Sequence, residues 1–424
     1  MARYSPRIVD AELDELLRAL PAIALEGPKG VGKTATAERR VNTTFRLDEP
    51  AQRELALADP AVLLAAPPPI LIDEWQHVPA VWDAVRRAVD KDATPNRFLL
   101  AGSAAPTVAP THSGAGRVVT VRMRPLALSE RALGTPKVSL RNLLTGSRPP
   151  ITGRTRVGLA DYAREIVVSG FPGLRHLTGR ALRAQLDGYL ARIVQRDFVE
   201  QGHRVRKPET LRRWMAAYAA ATATATTLDK IRSAATGGDG ETPAKTTVIE
   251  YRDVLHQLWV IDPVPGWVPS RNQFARLTQA PKHHLADPAL AARLLGVDAD
   301  ALLAGGTGGP PVPRDGTLFG SLFESLVTLS VRVYAQAAEA HVRHLRTREG
   351  RHEVDLIVER ADQRVLAIET KLSATVGDAD VKHLLWLKEQ MGRDLLDMVV
   401  VTTGGQAYRR ADGVAVVPAV LLGA

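Results

Sequence analysis

The first residues with recognisable chemistry lie in the stretch GPKGVGKT, residues 27–34. This stretch matches the pattern G-x-x-x-x-G-K-[ST] in full, between a predicted buried strand and a predicted helix. Glycines let backbone N–H groups converge on phosphates, and a helix N-terminus adds a favourable dipole. We therefore expect Lys33 to reach the β and γ phosphates of ATP and the Thr34 hydroxyl to ligate Mg²⁺. The predicted phosphate-binding residues are Gly27, Pro28, Lys29, Gly30, Val31, Gly32, Lys33, Thr34 and Ala35.

The second half of a nucleotide site is predicted in the stretch ILIDE, residues 70–74. Asp73 would hold Mg²⁺ through water, and Glu74 would orient and polarise the attacking water. Ser103 ends the next predicted strand, where it either senses the γ-phosphate or caps a turn. Arg117, one of several arginines in its neighbourhood, is the candidate for an arginine finger that enters a neighbouring subunit's site. Lys29 either adds charge to the phosphate loop or is a solvated loop residue.

Four polar residues near the other end of the chain form a second candidate site: Glu324, Asp355, Glu369 and Lys371. Positions i and i+2 of a strand point to the same side, so Glu369 and Lys371 share a face. The arrangement resembles the PD-(D/E)xK nuclease core. The resemblance implies that Asp355 and Glu369 hold Mg²⁺, that Lys371 helps to activate water, and that Glu324 completes the ligand set. The alternatives are a surface ion pair and a nuclease-like fold that serves only as a docking scaffold.

These residues require elements that position them, and the apolar patterns predict three domains. Residues 1–140 alternate short apolar runs with helical patterns, which is typical of βαβ units around a parallel sheet. Its predicted strands are AIALEG, PILIDE and RFLLAGSAA. The Gly/Pro/Arg-rich segment 134–158 is predicted to be a linker.

The middle region, residues 159–303, is predicted to be mainly helical. Its later part reads as helix, turn, helix and a short hairpin at residues 260–267, in the manner of a winged helix. The Gly/Pro-rich stretch 305–317 is predicted to be a flexible joint, and residues 317–424 an α/β unit. The predicted fold class is therefore α/β, with α/β domains at both ends of the chain and a helical and winged-helix region between them.

The order of the motifs resembles that of a bacterial family of two-part AAA-type ATPases whose C-terminal domain has unknown function. The phosphate loop is followed by LIDEWQ, LAGSA, GAGR and MRPLALSE, and later by VSGFPGL, YLARIVQRDF, KHHLADPALA, GSLFESLV, EVDLIVE and LAIETKLS. The resemblance implies an AAA-type ATPase domain, ATP and Mg²⁺ as cofactors, a helical and winged-helix middle and a restriction-endonuclease-like C-terminal domain. Where the family has LTGSS this chain has LAGSA, so the second serine is missing.

Composition bears on partners and location. The net charge is +9 and the chain has no cysteine, which excludes disulfides, thiolate metal sites and cysteine nucleophiles. The basic balance favours a polyanionic partner, although a GC-rich genome also enriches arginine. We expect nucleic acid, with DNA favoured, no membrane partner, a homo-oligomer and a cytoplasmic location. The leading hypothesis is an ATPase that moves a nucleic-acid-associated module, possibly a DNA nuclease; the alternative is a nucleotide-dependent protein-binding switch with a silent nuclease-like platform.

Overall fold

The chain folds around two large β-sheets with a helical region between them in sequence. The computed structural model describes residues 4–104, 114–203, 205, 207–236, 242–269, 279–304, 317–347 and 350–424. The strands are β1 Ala22–Glu26, β2 Thr43–Arg46, β3 Ile70–Asp73, β4 Phe98–Gly102, β5 Val119–Arg122, β6 Val138–Ser139, β7 Gly153–Arg154, β8 Gly266–Trp267, β9 His341–Arg346, β10 Glu353–Glu359, β11 Val365–Lys371, β12 Leu395–Thr402, β13 Gln406–Arg409, β14 Ala415–Pro418 and β15 Leu422–Gly423.

The α-helices are α1 Ile8–Leu17, α2 Lys33–Ala37, α3 Pro50–Ala58, α4 Pro60–Leu64, α5 Ala80–Lys91, α6 Leu140–Leu143, α7 Leu159–Val168, α8 Gly179–Arg192, α9 Phe198–Glu200, α10 Pro208–Ala220, α11 Leu228–Ala234, α12 Lys245–Gln257, α13 Pro288–Leu294, α14 Ala299–Ala304, α15 Leu318–Ala337 and α16 Asp378–Met391. A π-helical turn, Ile193–Asp197, joins α8 to α9. Short 3₁₀ turns span Glu38–Arg40, Trp75–His77, Leu128–Glu130, Pro172–Leu174, Gly392–Asp394 and Ala419–Leu421.

The first sheet is parallel and has the strand order β2-β3-β4-β1-β5. Alternate residues of β1 face opposite sides: Ile23 and Leu25 enter one core, and Ala22 and Ala24 the other. Both faces are therefore covered, as buried parallel sheets require. The three strands predicted in this region are confirmed. Because the strands are parallel, the loops after β1, β3 and β4 meet at one edge of the sheet.

The middle region is helical, as predicted, and its helices bury the predicted faces. On α12 the buried residues include Val248, Tyr251, Val254 and Leu255. The prediction that residues 260–267 pair with one another in a local hairpin is wrong. Residues 261 and 264 instead bridge antiparallel to residues 285 and 282, and β8 pairs in parallel with β9. The partner residues lie further along the chain than residue 267, so a local apolar pattern could not reveal them.

The second sheet has eight strands in the order β7-β13-β14-β12-β11-β10-β9-β8. Strands β9, β10 and β11 are antiparallel neighbours, whereas β12 runs parallel to β11 and to β14. Helix α15 packs on β9 and β11, and α16 packs on β11 and β12. Helix α15 has the length and apolar composition to cross a membrane, but 67% of its most apolar window is buried in the protein. The core helix of a folded domain has the same properties.

Segment 134–158 is not a free linker, which corrects the prediction. Strand β6 pairs in parallel with β15, and β7 pairs antiparallel with β13 at the edge of the second sheet. The Arg409 guanidinium also donates to the carbonyl of Pro149 at 3.0 Å. Strands of two residues carry no periodicity, so composition alone indicated a linker. The predicted flexible joint, 305–317, lies outside the described residues apart from Thr317. The predicted domain bounds stay predictions.

Candidate nucleotide site and second acidic cluster

The phosphate loop curls between the end of β1 and the start of α2, and its glycines are required by its shape. Gly27 has φ +158°, and a Cβ at that position would lie 2.1 Å from the Met123 carbonyl oxygen. Gly32 has φ +97° and immediately precedes α2. Any side chain at Gly27 would collide with backbone, and one at Gly32 would strain the turn. Residues 27–34 therefore form a tight loop at the helix N-terminus, where phosphate oxygens are favoured.

The Lys33 ammonium is folded back into this loop. It donates to the carbonyl oxygens of Gly27 at 2.8 Å and Pro28 at 3.1 Å. The side chain is buried, and burial lowers the pKa of Lys33 to about 8, although Glu74 and Asp73 oppose the shift. A phosphate group in the loop would supply the opposite charge that a buried ammonium needs.

Thr34 and Asp73 meet at the edge of the sheet, as the motifs predicted. The Thr34 hydroxyl donates to Asp73 Oδ2 at 2.8 Å, and Asp73 Oδ1 is buried without a hydrogen-bond partner. Burial raises the pKa of Asp73 to about 6. A hydroxyl and a carboxylate with one orphaned oxygen are the kinds of ligand that a hard divalent cation takes, so these two residues fit Mg²⁺.

Glu74 is held by two side chains beside the loop. Ser103 Oγ donates to Glu74 Oε2 at 2.9 Å, and the Gln76 amide also donates to that oxygen. Ser103 and Gln76 are themselves in contact at 3.3 Å. Ser103 therefore contacts the candidate general base directly. Gln76 was not predicted as a site residue. Its only sequence signal is its position two residues after Glu74, and in the structure it lies in the 3₁₀ turn Trp75–His77.

The Lys29 side chain is 34% exposed and is paired with carboxylates outside the phosphate loop. Its ammonium forms ion pairs with Asp197 at 2.8 Å and Glu200 at 3.0 Å, at the π-helical turn and α9 of the middle region. The Tyr189 hydroxyl also donates to the Lys29 carbonyl at 3.3 Å. Its role as a phosphate ligand stays a prediction. The structure adds that residues of the middle region contact the phosphate loop through Lys29. No local sequence pattern could reveal these contacts.

The predicted arginine finger lies at the protein surface, against α5. Arg117 Nε donates to Asp90 Oδ1 at 2.8 Å, and the side chain is 46% exposed. A finger acts on a neighbouring subunit, so its assignment stays a prediction.

A buried charge cluster that the sequence did not indicate joins three parts of the chain. Asp262 of the middle region contacts Arg124 at 2.8 Å and Arg122 at 3.3 Å near β5, and Arg332 of α15 at 3.1 Å. The guanidiniums hold the pKa of Asp262 well below its usual range, despite burial that acts in the opposite direction. Arg122 also lies 4.3 Å above the Trp259 ring. The cluster borders a cleft of about 550 Å³ that is also lined by Glu12 and Arg343.

The second acidic cluster contains a cation that the sequence reasoning missed. The Lys282 ammonium contacts Glu324 at 2.8 Å, Asp355 at 3.0 Å and Glu353 at 3.3 Å. Burial raises the pKa of Glu324 to about 8, whereas Lys282 holds that of Asp355 at about 2 against the effect of burial. The structure therefore brings together Glu324 and Asp355, as predicted. Both contact Lys282, which lies 42 positions before Glu324 and 73 positions before Asp355 in the sequence.

Glu369 and Lys371 complete the predicted set at the end of β11. Lys371 Nζ lies 3.8 Å from Glu369 Oε2, and Glu369 Oε1 is buried without a hydrogen-bond partner. Burial, followed by the Asp355 charge, raises the pKa of Glu369 well above its usual range. Across the part of the chain that the structure describes, no group of three or more histidines, aspartates and glutamates is arranged to hold a metal ion. The assignment of Asp355 and Glu369 as metal ligands stays a prediction.

Three family models match successive parts of this chain. Residues 20–132 match an AAA domain, residues 159–301 match a domain of unknown function termed DUF8612, and residues 319–422 match a second one termed DUF4143. The AAA match covers the sheet that carries residues 27–34 and 73–74.

Curated relatives include the uncharacterized protein Rv2008c of Mycobacterium tuberculosis and the uncharacterized protein Mb2031c of Mycobacterium bovis. Each is 28% identical over 296 residues, which are 68% of this chain and 59% of the relative. The match thus spans less than two thirds of the relatives' length.

Among solved structures, the ORC2 protein of Aeropyrum pernix in its ADPNP-ADP complexes aligns at 15% identity and a TM-score of 0.28, over 69% of this chain and 91% of that chain. The RuvB Holliday junction branch migration motor of Thermotoga maritima aligns at 16% identity and a TM-score of 0.26, over 61% and 89%. Scores this low do not establish a shared overall fold. The AAA-domain match and the geometry of the phosphate loop together support an AAA-type ATPase.

Proposed function

We propose that this protein is a Mg²⁺-dependent ATP hydrolase whose nucleotide cycle moves its middle and C-terminal regions. The observation that carries the proposal is the convergence of Lys33, the Thr34–Asp73 pair and Glu74 at one edge of the parallel sheet. Together they have the chemistry that phosphoryl transfer to water requires, and they come from two places in the fold, the start of α2 and the end of β3.

In the proposed reaction the attacking water forms a bond to the γ-phosphorus and the bond to the β,γ-bridging oxygen breaks. Lys33 leaves the Gly27 and Pro28 carbonyls to neutralise phosphate oxygens. Glu74 accepts the proton of the water, and Ser103 keeps its carboxylate oriented. Bound Mg²⁺, held by Thr34 and Asp73, would supply charge neutralisation at the phosphates.

Two contacts support transmission of the nucleotide state beyond the first domain. The Lys29 ion pairs with Asp197 and Glu200 join the phosphate loop to the π-helical turn and α9, so a movement of the loop would be passed to the middle region. Arg122 pairs in register with Glu26, the last residue before the loop, and also contacts Asp262. A change at the loop therefore has a direct route to the middle region.

We further propose that the moved module associates with nucleic acid, with DNA favoured, and that the chain acts as a cytoplasmic homo-oligomer. The net charge of +9 supports a polyanionic partner. Helices α10 to α12 with the 261–264 and 282–285 pairing are compatible with a winged helix, and the order α15-β9-β10-β11-α16-β12 is compatible with a restriction-endonuclease-like core.

A second candidate function is a nucleotide-dependent switch that binds protein partners through a catalytically silent C-terminal platform. The observation that favours it over a nuclease is Lys282, whose ammonium sits among the carboxylates that cleavage would need.

The test is ATP hydrolysis by the purified protein with no nucleic acid, single-stranded DNA, duplex DNA, branched DNA and RNA. Lys33→Ala and Glu74→Gln are the inactive controls, and product gels are run alongside. We expect Mg²⁺-dependent hydrolysis that one polymer stimulates. Hydrolysis without any stimulation or binding would replace the nucleic-acid role by the protein switch, and no hydrolysis by the wild type would contradict the enzyme itself.

A further inference from the structure

The carboxylate cluster of the C-terminal region already contains a cation. Lys282 Nζ is surrounded by Glu324, Asp355 and Glu353 at 2.8 to 3.3 Å, and the lysine side chain is only 1% exposed. We infer that Lys282 is the resident cation of this cluster and that it excludes a divalent metal ion from it. This inference concerns the C-terminal region and does not depend on the proposed ATPase reaction.

Burial explains why the ammonium and the carboxylates require one another. A buried ammonium is costly unless it is paired, and close carboxylates repel one another without a cation between them. Glu324 and Asp355 each have a side chain that is 13% exposed, so little solvent screens their charges. One ammonium at hydrogen-bond distance from three carboxylates therefore meets both requirements at once.

The geometry suits an ammonium better than a metal ion. The contacts to Glu324 and Asp355 are hydrogen bonds and the contact to Glu353 is an ion pair at 3.3 Å, whereas Mg²⁺ holds oxygen ligands at about 2.0–2.1 Å. The second oxygen of Asp355 is committed elsewhere, since Oδ2 accepts from the Thr370 backbone N–H at 2.9 Å and from its hydroxyl at 2.8 Å. A metal ion would have to displace the ammonium from the point where the carboxylates converge.

The lysine is tethered and cannot easily withdraw. Its backbone N–H donates to the Val264 carbonyl at 2.9 Å, and the Val264 N–H donates to the Lys282 carbonyl at 2.9 Å. Two residues further on, the carbonyl oxygen of His284 accepts a hydrogen bond from the Asp262 N–H at 2.9 Å. Displacing Lys282 thus requires this antiparallel pairing to shift, together with the segment that carries Asp262.

The test counts Mn²⁺ bound by the nucleotide-free protein, with electron paramagnetic resonance of free Mn²⁺ as the readout. Every protein carries Asp73→Asn, so that the nucleotide site contributes no metal. The comparison is between otherwise wild-type protein, Asp355→Asn, Lys282→Met and the Lys282→Met/Asp355→Asn pair, with circular dichroism as the check on folding.

We expect equal Mn²⁺ uptake by the protein with native Lys282 and by Asp355→Asn, because the lysine already fills the cluster. We expect Lys282→Met to gain about one Mn²⁺ per chain, with a thermal midpoint that rises on Mn²⁺ addition, and the paired variant to lose both effects. A Mn²⁺ site in the native-Lys282 protein that Asp355→Asn removes would overturn the inference. Folded Lys282→Met without a new site would do the same. If Lys282→Met does not fold, the inference is decided by comparing Mn²⁺ uptake in the otherwise wild-type protein and in Asp355→Asn, which both retain Lys282.

Discussion

Asp262 offers the sharpest test of how the three regions are held together. Its carboxylate is 8% exposed and contacts Arg122, Arg124 and Arg332, whose side chains are 10% to 19% exposed. The variant Asp262→Asn keeps the shape but leaves three guanidiniums without their shared negative charge. Removing one partner of a buried ion pair costs about 3–5 kcal/mol, and we expect a loss of that size in the free energy of unfolding.

The pH dependence of this loss has a defined sign. The arginines depress the folded-state pKa of Asp262, so its contribution is present above the unfolded value of 3.8 and is lost as pH falls through the depressed folded value. The difference between wild type and variant should therefore hold from pH 8 down to about 5 and narrow in stronger acid.

Urea unfolding followed by tryptophan fluorescence measures this effect, since Trp259 lies under the Arg122 guanidinium. Asp90→Asn is the matched control, because Asp90 also contacts two arginines, Arg86 and Arg117, but is 36% exposed. An exposed pair of this kind contributes about 0.2–1 kcal/mol. If Asp262→Asn destabilises the protein no more than Asp90→Asn does, the buried cluster is not what joins the regions.

Three further predictions concern the nucleotide site. In a polarisation assay with a fluorescent ATP analogue, Lys33→Met should abolish binding. Lys29→Met should change the Kd of the analogue less than about threefold, because Lys29 is already paired with Asp197 and Glu200. A larger loss of affinity in Lys29→Met would make Lys29 a phosphate ligand. Because the pKa of Lys33 is lowered to about 8 and phosphate favours its charged form, ATP binding should take up protons increasingly as pH rises through 8. Calorimetry in two buffers of different ionisation enthalpy measures this proton uptake, and an uptake that does not grow between pH 7 and pH 9 would refute the prediction. Ser103→Ala should lower kcat roughly tenfold with KM little changed, because Glu74 loses an orienting donor; an unchanged kcat in a steady-state assay would assign Ser103 to turn structure.

The parts of the fold that local patterns could predict are those built from single continuous stretches. The apolar runs at residues 22–26, 70–73 and 98–102 are strands because their side chains are buried on both faces of a parallel sheet. Residues 27–34 and 73–74 carry a motif whose spacing is dictated by one loop and one strand end. Motif and strand were therefore sufficient to place Thr34 beside Asp73.

What escaped prediction depends on contacts between distant segments. Lys282 has no neighbouring acid that marks it, and only folding brings it to Glu324 and Asp355. The ion pairs of Asp197 with Lys29 and of Asp262 with Arg124 join regions that were predicted separately. Strands of two residues, such as β6 and β7, depend on the edge that they meet, so their own sequence holds no signal of pairing.

The pairing of β6 with β15 has a consequence for the order in which the chain is made. Val138 pairs with Leu422, 284 positions later, whereas the first sheet is complete at Arg122. At about 5–20 residues per second, synthesis leaves β6 without its partner for on the order of 15 to 60 s after it emerges. The first sheet can therefore form during translation, while β6 and β7 stay unpaired until β15 and β13 have been synthesised. A gene fragment cut after residue 158 would carry these two strands permanently unpaired, and fragments that retain both β6 and β15 should be markedly more soluble.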